Sequence, residues 1–147
     1  MSPEIKLTSE ELGLMAVFSN VTGVSPRDCV IDSAGDRIIF VLDKEFMGQA
    51  IGKKGQTIAN LEEVIARPIE LVEFSEDPKE FIKNALGTRN VIDSKVNEKA
   101  DGSKVGIVTV SIRNKGAVLG RGGRNAERAR ILAKRYFGIE HIHIITQ

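Results

Sequence analysis

The chain has 147 residues, 28% charged and 41% hydrophobic, with 21 basic against 20 acidic side chains and a net charge of +1. With 14 glycines this composition excludes a disordered chain, a collagen and a coiled coil, and the longest uncharged stretch, Leu12 to Pro26, is 15 residues, too short to span a bilayer. The single cysteine, Cys29, excludes a disulfide framework, and Met1-Ser2-Pro3-Glu4 lacks the positive end and apolar run of a secretory signal, so a cytoplasmic protein with no membrane partner is expected.

In chain order, Thr8 to Glu11 spells a capping box, with Leu7 and Leu12 placed as its hydrophobic staple. The helix that follows is expected to turn Leu12, Met15, Ala16 and Val21 to the core and to stop at Gly23. Cys29 to Asp32 and Ile38 to Leu42 read as strands joined by a hairpin at Ala34-Gly35. A helix, the turn Gly52-Lys53-Lys54-Gly55, a second helix and a strand, Ile69 to Phe74, complete the pattern. It then begins again. Asp77-Pro78-Lys79-Glu80 is a helix start, with Phe81, Ile82, Ala85 and Leu86 on one face and Gly87 as the stop. Asn90 to Asp93, a turn at Asp101-Gly102, and Ile107 to Ile112 form a second hairpin; after Gly120-Arg121-Gly122-Gly123 and a helix comes a last strand, Ile139 to Ile144.

Gly48 to Gly55 recurs as Gly116 to Gly123, 68 positions later, whereas the final strands are 70 apart, so the second copy's helix should be longer by about two residues. A repeat of a whole helix–strand–strand–helix–turn–helix–strand order predicts two domains, residues 1–75 and 76–147. Each is an α+β unit with helices packed on one face of a three-stranded sheet. Units of this size have thin cores, so a fixed interface between them is expected. The balanced charge hides a split: residues 1–75 carry 7 basic and 12 acidic side chains, net −5, and residues 76–147 carry 14 and 8, net +6. Arg113 to Phe137 holds eight basic residues and Glu127 as its one acid. A solvated helix face explains most charge runs, but one of a single sign repels itself unless an anion comes to it.

The glycine turns are the candidate site. Glycine admits positive φ and close backbone approach, and each turn opens a helix whose unpaired N–H groups and positive dipole end point outward. Lys53 and Lys54 stand between the first pair of glycines and Arg121 between the second, which suits successive phosphates of a nucleic-acid backbone. An ordinary turn between helices would explain one such motif; two, each with basic residues inside a matching repeat, it does not. Gly48 to Lys54 is one spacer short of a Walker loop and puts Lys54 where the hydroxyl belongs, and a dinucleotide fingerprint from Gly120 would need glycine at Asn125.

Ala50-Ile51-Gly52-Lys53-Lys54-Gly55-Gln56-Thr57-Ile58 resembles the signature of the K-homology (KH) family. Val118-Leu119-Gly120-Arg121-Gly122-Gly123-Arg124-Asn125-Ala126 resembles it too, with Ala126 where isoleucine is usual. The element order is similar to the type II arrangement. Two adjacent copies, with Thr22-Gly23 and Asp28-Cys29 near the start and Phe81-Ile82-Lys83-Asn84 opening the second, resemble archaeal NusA-like transcription factors. Bacterial members carry further domains, which this chain is expected to lack.

The resemblance implies a non-enzymatic protein that binds single-stranded RNA, each turn gripping about four nucleotides, and acts on nascent transcripts in termination or antitermination. The residues it implies are Gly52, Lys53, Lys54 and Gly55, and Gly120, Arg121, Gly122 and Gly123, with Ile51, Ile58, Val118 and Leu119 as groove walls. Arg124, Arg128 and Arg135 lie along one helix face and would extend the phosphate track. One strand crossing both turns would gain avidity from the linkage. RNA polymerase or the transcription complex is the further partner implied, and no cofactor is expected. A ribosome-associated KH protein and a protein-interaction module are the competing readings; co-purification with polymerase or ribosomal subunits, and the salt dependence of binding, separate them.

His141 and His143 share a strand face without metal-ligand spacing, Cys29 reads as a small buried hydrophobe, and Glu62-Glu63 as solvated helix surface. Phe74, Phe81, Tyr136 and Phe137 read as packing rather than stacking sites for bases.

Overall fold

Thr8 begins the first helix, α1 (Ser9–Thr22), as its sequence requires: the Thr8 hydroxyl accepts the Glu11 N–H at 3.1 Å and Glu11 Oε1 accepts the Thr8 N–H at 2.8 Å. Gly23, at φ 75°, ends it. In the computed structural model, residues 5–87 and 90–147 are described; the opening tetrapeptide read above for its charge lies outside them. Among the described residues the chain forms six strands in two three-stranded sheets and divides into two compact units, Lys6–Phe74 and Ser75–Gln147, with Ile5 grouped in the latter.

In the first unit β1 (Asp28–Asp32) and β2 (Arg37–Leu42) form an antiparallel hairpin, and β3 (Ile69–Glu73) lies parallel to β2 on its other side. A parallel neighbour needs a crossover. Here α2 (Met47–Ile51) and α3 (Gln56–Ile65) supply it, and the glycine turn is the corner between them. Alternation on β2 turns Ile38, Phe40 and Leu42 to the helices, where Cys29, Ile69, Leu61, Ala50 and Phe18 join them, all buried. The Phe18 and Phe40 rings stand 4.4 Å apart.

That ring pair decides which face of α1 is inside. Leu14, Val17, Phe18 and Val21 pack inward with Met15, whereas Leu12 is 54% exposed and Ala16 faces solvent, contrary to the expected stripe. Apolar residues run nearly round this helix, so periodicity alone does not choose between two overlapping stripes.

In the second unit α4 (Pro78–Leu86) begins at Asp77, whose Oδ1 accepts the Lys79 N–H at 3.0 Å, and ends at Gly87. Phe81, Ile82, Ala85 and Leu86 are buried, as their spacing requires. The sheet repeats the first one's pattern: β4 (Val91–Glu98) antiparallel to β5 (Lys104–Val110), and β5 parallel to β6 (Ile139–Thr146). The hairpin turns at Gly102, φ 88°, where the Ser103 hydroxyl and N–H both donate to Asp101 and hold its carboxyl below the usual carboxylate range.

β5 starts three residues before the expected run and stops before it ends; Ile112 sits in a 3₁₀ turn, 74% exposed. Gly106 on β5 lies under α4, where an added Cβ would come within 3.0 Å of Ile82 Cδ1. Phe81 packs edge-on against Tyr136 and Phe137, with ring centroids 5.1 and 5.7 Å away.

α5 (Lys115–Leu119) and α6 (Arg124–Phe137) match α2 and α3, but α6 has 14 residues against 10. The link to the last strand shortens from Ala66-Arg67-Pro68 to Gly138 alone, which leaves the net offset of two. The helix is thus longer by four, not two: both helices stop at a left-handed residue, Ala66 (φ 63°) and Gly138 (φ 67°), but the second copy has no counterpart of Arg67-Pro68 before its strand.

Candidate nucleic-acid interface

Each turn is built from backbone. α2 ends where the Gly52 N–H reaches the Gly48 carbonyl at 2.9 Å; Gly52 takes φ 77°, ψ 173°, Lys54 φ 56°, ψ 28°, and Gly55 φ 74°, ψ 15°. α5 ends in the same way at Gly120, with φ 79°, ψ 166°, followed by Gly122 at φ 64°, ψ 19° and Gly123 at φ 77°, ψ 17°. The last glycine of each turn donates back to the first, at 3.1 Å for Gly55 and 3.0 Å for Gly123. Sixty-eight residues apart, the two copies trace one path.

Two of these conformations bear on chemistry. The conformation at Gly52 and Gly120 is essentially reserved for glycine. A Cβ on Gly52 would stand 2.6 Å from Thr57 Cβ and 2.8 Å from the Thr57 nitrogen; on Gly120 it would meet Asn125 Cγ at 2.8 Å and the Asn125 nitrogen at 2.9 Å. Thr57 and Asn125 occupy the same place in the two copies and are residues the motif reading passed over. Their signal in the sequence is a small polar side chain two residues after each turn's last glycine. Lys54 is the second case: an L-residue held left-handed where Gly122 holds that shape freely.

Lys53, Lys54, Arg121 and Gly122 are exposed. Neither α3 nor α6 carries a side-chain N-cap, so no side-chain acceptor closes off the helix starts beside them. The turns therefore present exposed cations at the positive ends of helices, a setting that favours an anion.

The apolar residues divide. Ile51 is 39% exposed, and Ile58 and Leu119 are half-buried. Val118, expected as a groove wall, is 5% exposed: like its counterpart Ala50 it points into the core, and it leaves the wall set. Among the arginines of α6, Arg128 has a structural tie. Its Nε donates to the Ala85 carbonyl at 2.6 Å, at the end of α4, so it links the two helices. Guanidinium charge there also suits the negative end of α4. Arg124 and Arg135 are half-buried on the same helix.

His141 and His143 are exposed, with ring centroids 6.2 Å apart; among the described residues no group of three or more potential ligands could hold a metal ion. No helix of the described residues is long and apolar enough to cross a membrane.

Known proteins share this build. The protein-family profile described as "KH domain" matches residues 14–76. "Probable transcription termination protein NusA" of Methanococcus vannielii is 35% identical over 97% of this chain and 80% of its own length. The protein of the same name from Halococcus morrhuae is 34% identical over 95% of this chain and 98% of its own. The chain belongs to the archaeal NusA family. The crystal structure of APE1850 superposes on this family member with a TM-score of 0.85 at 36% identity, covering 94% of this chain and 99% of that one.

Proposed function

We propose that this NusA-family chain is a non-enzymatic transcription factor made of two tandem type II KH domains, residues 1–75 and 76–147. It grips single-stranded nascent RNA and acts in termination or antitermination. RNA polymerase or the transcription complex is the partner that brings it to the transcript. The names of its relatives support the transcriptional role. The observation that carries the RNA-binding part is the duplicated turn: one backbone path, twice, with exposed cations at its tip. Lys54 strengthens it. Gly122 serves the same backbone position without strain, so the fold does not need a lysine there; a ligand does.

In this reading the phosphates lie against Gly52, Lys53, Lys54 and Gly55, and against Gly120, Arg121, Gly122 and Gly123. Bases lie toward Ile51 and Ile58 in the first domain, and toward Leu119 in the second with Arg124 alongside. Two turns on one chain raise avidity when both engage a single strand.

The test replaces Lys53 and Lys54, then Arg121 and Gly122, with aspartate, confirms folding by circular dichroism, and measures affinity for single-stranded RNA across a salt series. Each phosphate contact contributes about −0.7 to the slope of log K against log salt for a single strand, so the first pair of substitutions should flatten the slope by about 1.4. A folded quadruple variant that binds as tightly, with the parent slope, overturns the proposal. A gentler variant separates function from stability. Lys54→Gly relieves the left-handed strain but adds chain entropy to the unfolded state, for a net gain of about 0.5–1 kcal/mol in urea unfolding. RNA affinity should fall severalfold in the same variant.

A further inference from the structure

The two residues beneath the turns have a role that the glycines and cations do not fill. We infer that Asn125, and Thr57 in the equivalent place, are positioning residues that hold each turn in its anion-accepting shape. The inference rests on the RNA-binding reading above and deepens it.

Each of these side chains occupies the space behind the turn's first glycine, as the near-collision of an added Cβ with it shows. Asn125 does more. Its Nδ2 donates to the Ala117 carbonyl at 3.3 Å. Ala117 lies in the last turn of α5, where carbonyls have no partner within the helix. Asn125 lies in the first turn of α6. A single side chain therefore bridges the end of one helix and the start of the next, across the corner that carries Arg121, Gly122 and Gly123. Beyond two backbone bonds, Gly123 N–H to the Gly120 carbonyl and Arg124 N–H to the Arg121 carbonyl, no side chain packs against the glycines: added Cβ atoms on Gly122 and Gly123 would meet nothing within 4 Å, and Gly122 is exposed. A turn with two consecutive glycines in open space has a large conformational entropy to lose when a ligand orders it. A brace at its base removes part of that loss beforehand.

The first copy needs less bracing. Lys54 replaces one of the free glycines and narrows the turn's freedom by itself, and Thr57, shorter than asparagine, packs directly on Gly52. The two copies thus reach one shape by different divisions of labour. Asn125 should matter more than Thr57.

The experiment uses the full chain carrying Lys53→Asp and Lys54→Asp, so that binding to a short single-stranded RNA of mixed sequence reports the second turn. In that background Asn125→Ala should weaken binding about tenfold while leaving the salt slope unchanged, since no phosphate contact is lost. Hydrogen exchange at the Arg121, Gly122 and Gly123 amides should quicken. Asn125→Thr, which fills the space behind Gly120 without the amide that reaches the Ala117 carbonyl, should stay close to alanine in both effects, whereas a purely volumetric role would let threonine recover them. If Asn125→Ala binds like its parent, or if Asn125→Thr restores the parent's binding and amide protection, the bridging role is wrong. Loss of the RNA reading looks different: there the aspartate variants of both turns keep their affinity, whatever Asn125 does to amide exchange.

Discussion

Gly52→Ala should destabilise the first unit by about 3 kcal/mol, against about 1 kcal/mol for Gly55→Ala, although both glycines belong to one motif. The difference follows from what surrounds each. At Gly52 the backbone sits at φ 77°, ψ 173°, and the added methyl would meet the Thr57 backbone nitrogen at 2.8 Å. Backbone cannot swing aside as a side-chain tip can, so strain and collision add. At Gly55 the conformation is ordinary left-handed helix, φ 74°, ψ 15°, and nothing lies within 4 Å of the added carbon. The methyl there costs only its own torsional strain. Residue-resolved hydrogen exchange within the first unit, compared for the two variants, measures both numbers without requiring that the whole chain unfold in one step. Equal destabilisation would mean that the turn relaxes away from Thr57, and that the first glycine is not fixed by its surroundings. The same contrast bears on function. If only the first glycine is dictated by packing, the freedom at Gly55 and Gly123 is available for close approach of a ligand backbone.

Much of this organisation is legible in the sequence because it is written in short-range chemistry. Thr8 with Glu11, Asp77 with Pro78, and the glycines at 23 and 87 mark helix ends by residues that can do little else at those places. The repeat adds a second, independent copy of the same signals. What escapes is decided by contacts between distant segments. Leu12 and Leu14 are equally apolar, and only the meeting of Phe18 with Phe40 selects Leu14's face. Val118 and Leu119 are adjacent aliphatics in one motif, yet the short helix turns the first inward and leaves the second half-exposed. Arg128 sits in a run of one charge sign that reads as a phosphate track, and its bond to Ala85, 43 residues earlier, is visible only once α4 and α6 lie side by side. Thr57 and Asn125 differ in identity, so the repeat hides their shared position unless the turns are overlaid.

Arg37 is the charged residue least expected from its sequence position, at the start of a central strand, and its removal should have the other large effect. Its side chain is 1% exposed; Nε donates to Asp32 Oδ2 at 2.8 Å and Nη1 to Glu70 Oε1 at 3.0 Å. The register explains the meeting. Asp32 is Arg37's cross-strand partner on β1, and Glu70 lies on β3 opposite Ile39, on the same sheet face as Arg37. Asp32 is itself 8% exposed, so Arg37→Met would take the guanidinium away from one buried carboxylate and one partly buried carboxylate. Breaking a buried pair in this way costs about 3–5 kcal/mol; the lower end applies here, because Glu70 keeps 23% of its side-chain surface in contact with solvent. The expected result is a first unit destabilised by about 3 kcal/mol in urea unfolding at neutral pH. Adding Asp32→Asn and Glu70→Gln to Arg37→Met should recover most of that loss, because the cost comes from the carboxylate charges and not from the missing arginine. Since the triad lies on the sheet, away from the turn glycines, its disruption should lower stability while leaving the RNA affinity of the folded fraction unchanged. A single variant that loses RNA binding at temperatures where it remains folded would show that the sheet and the turn are coupled.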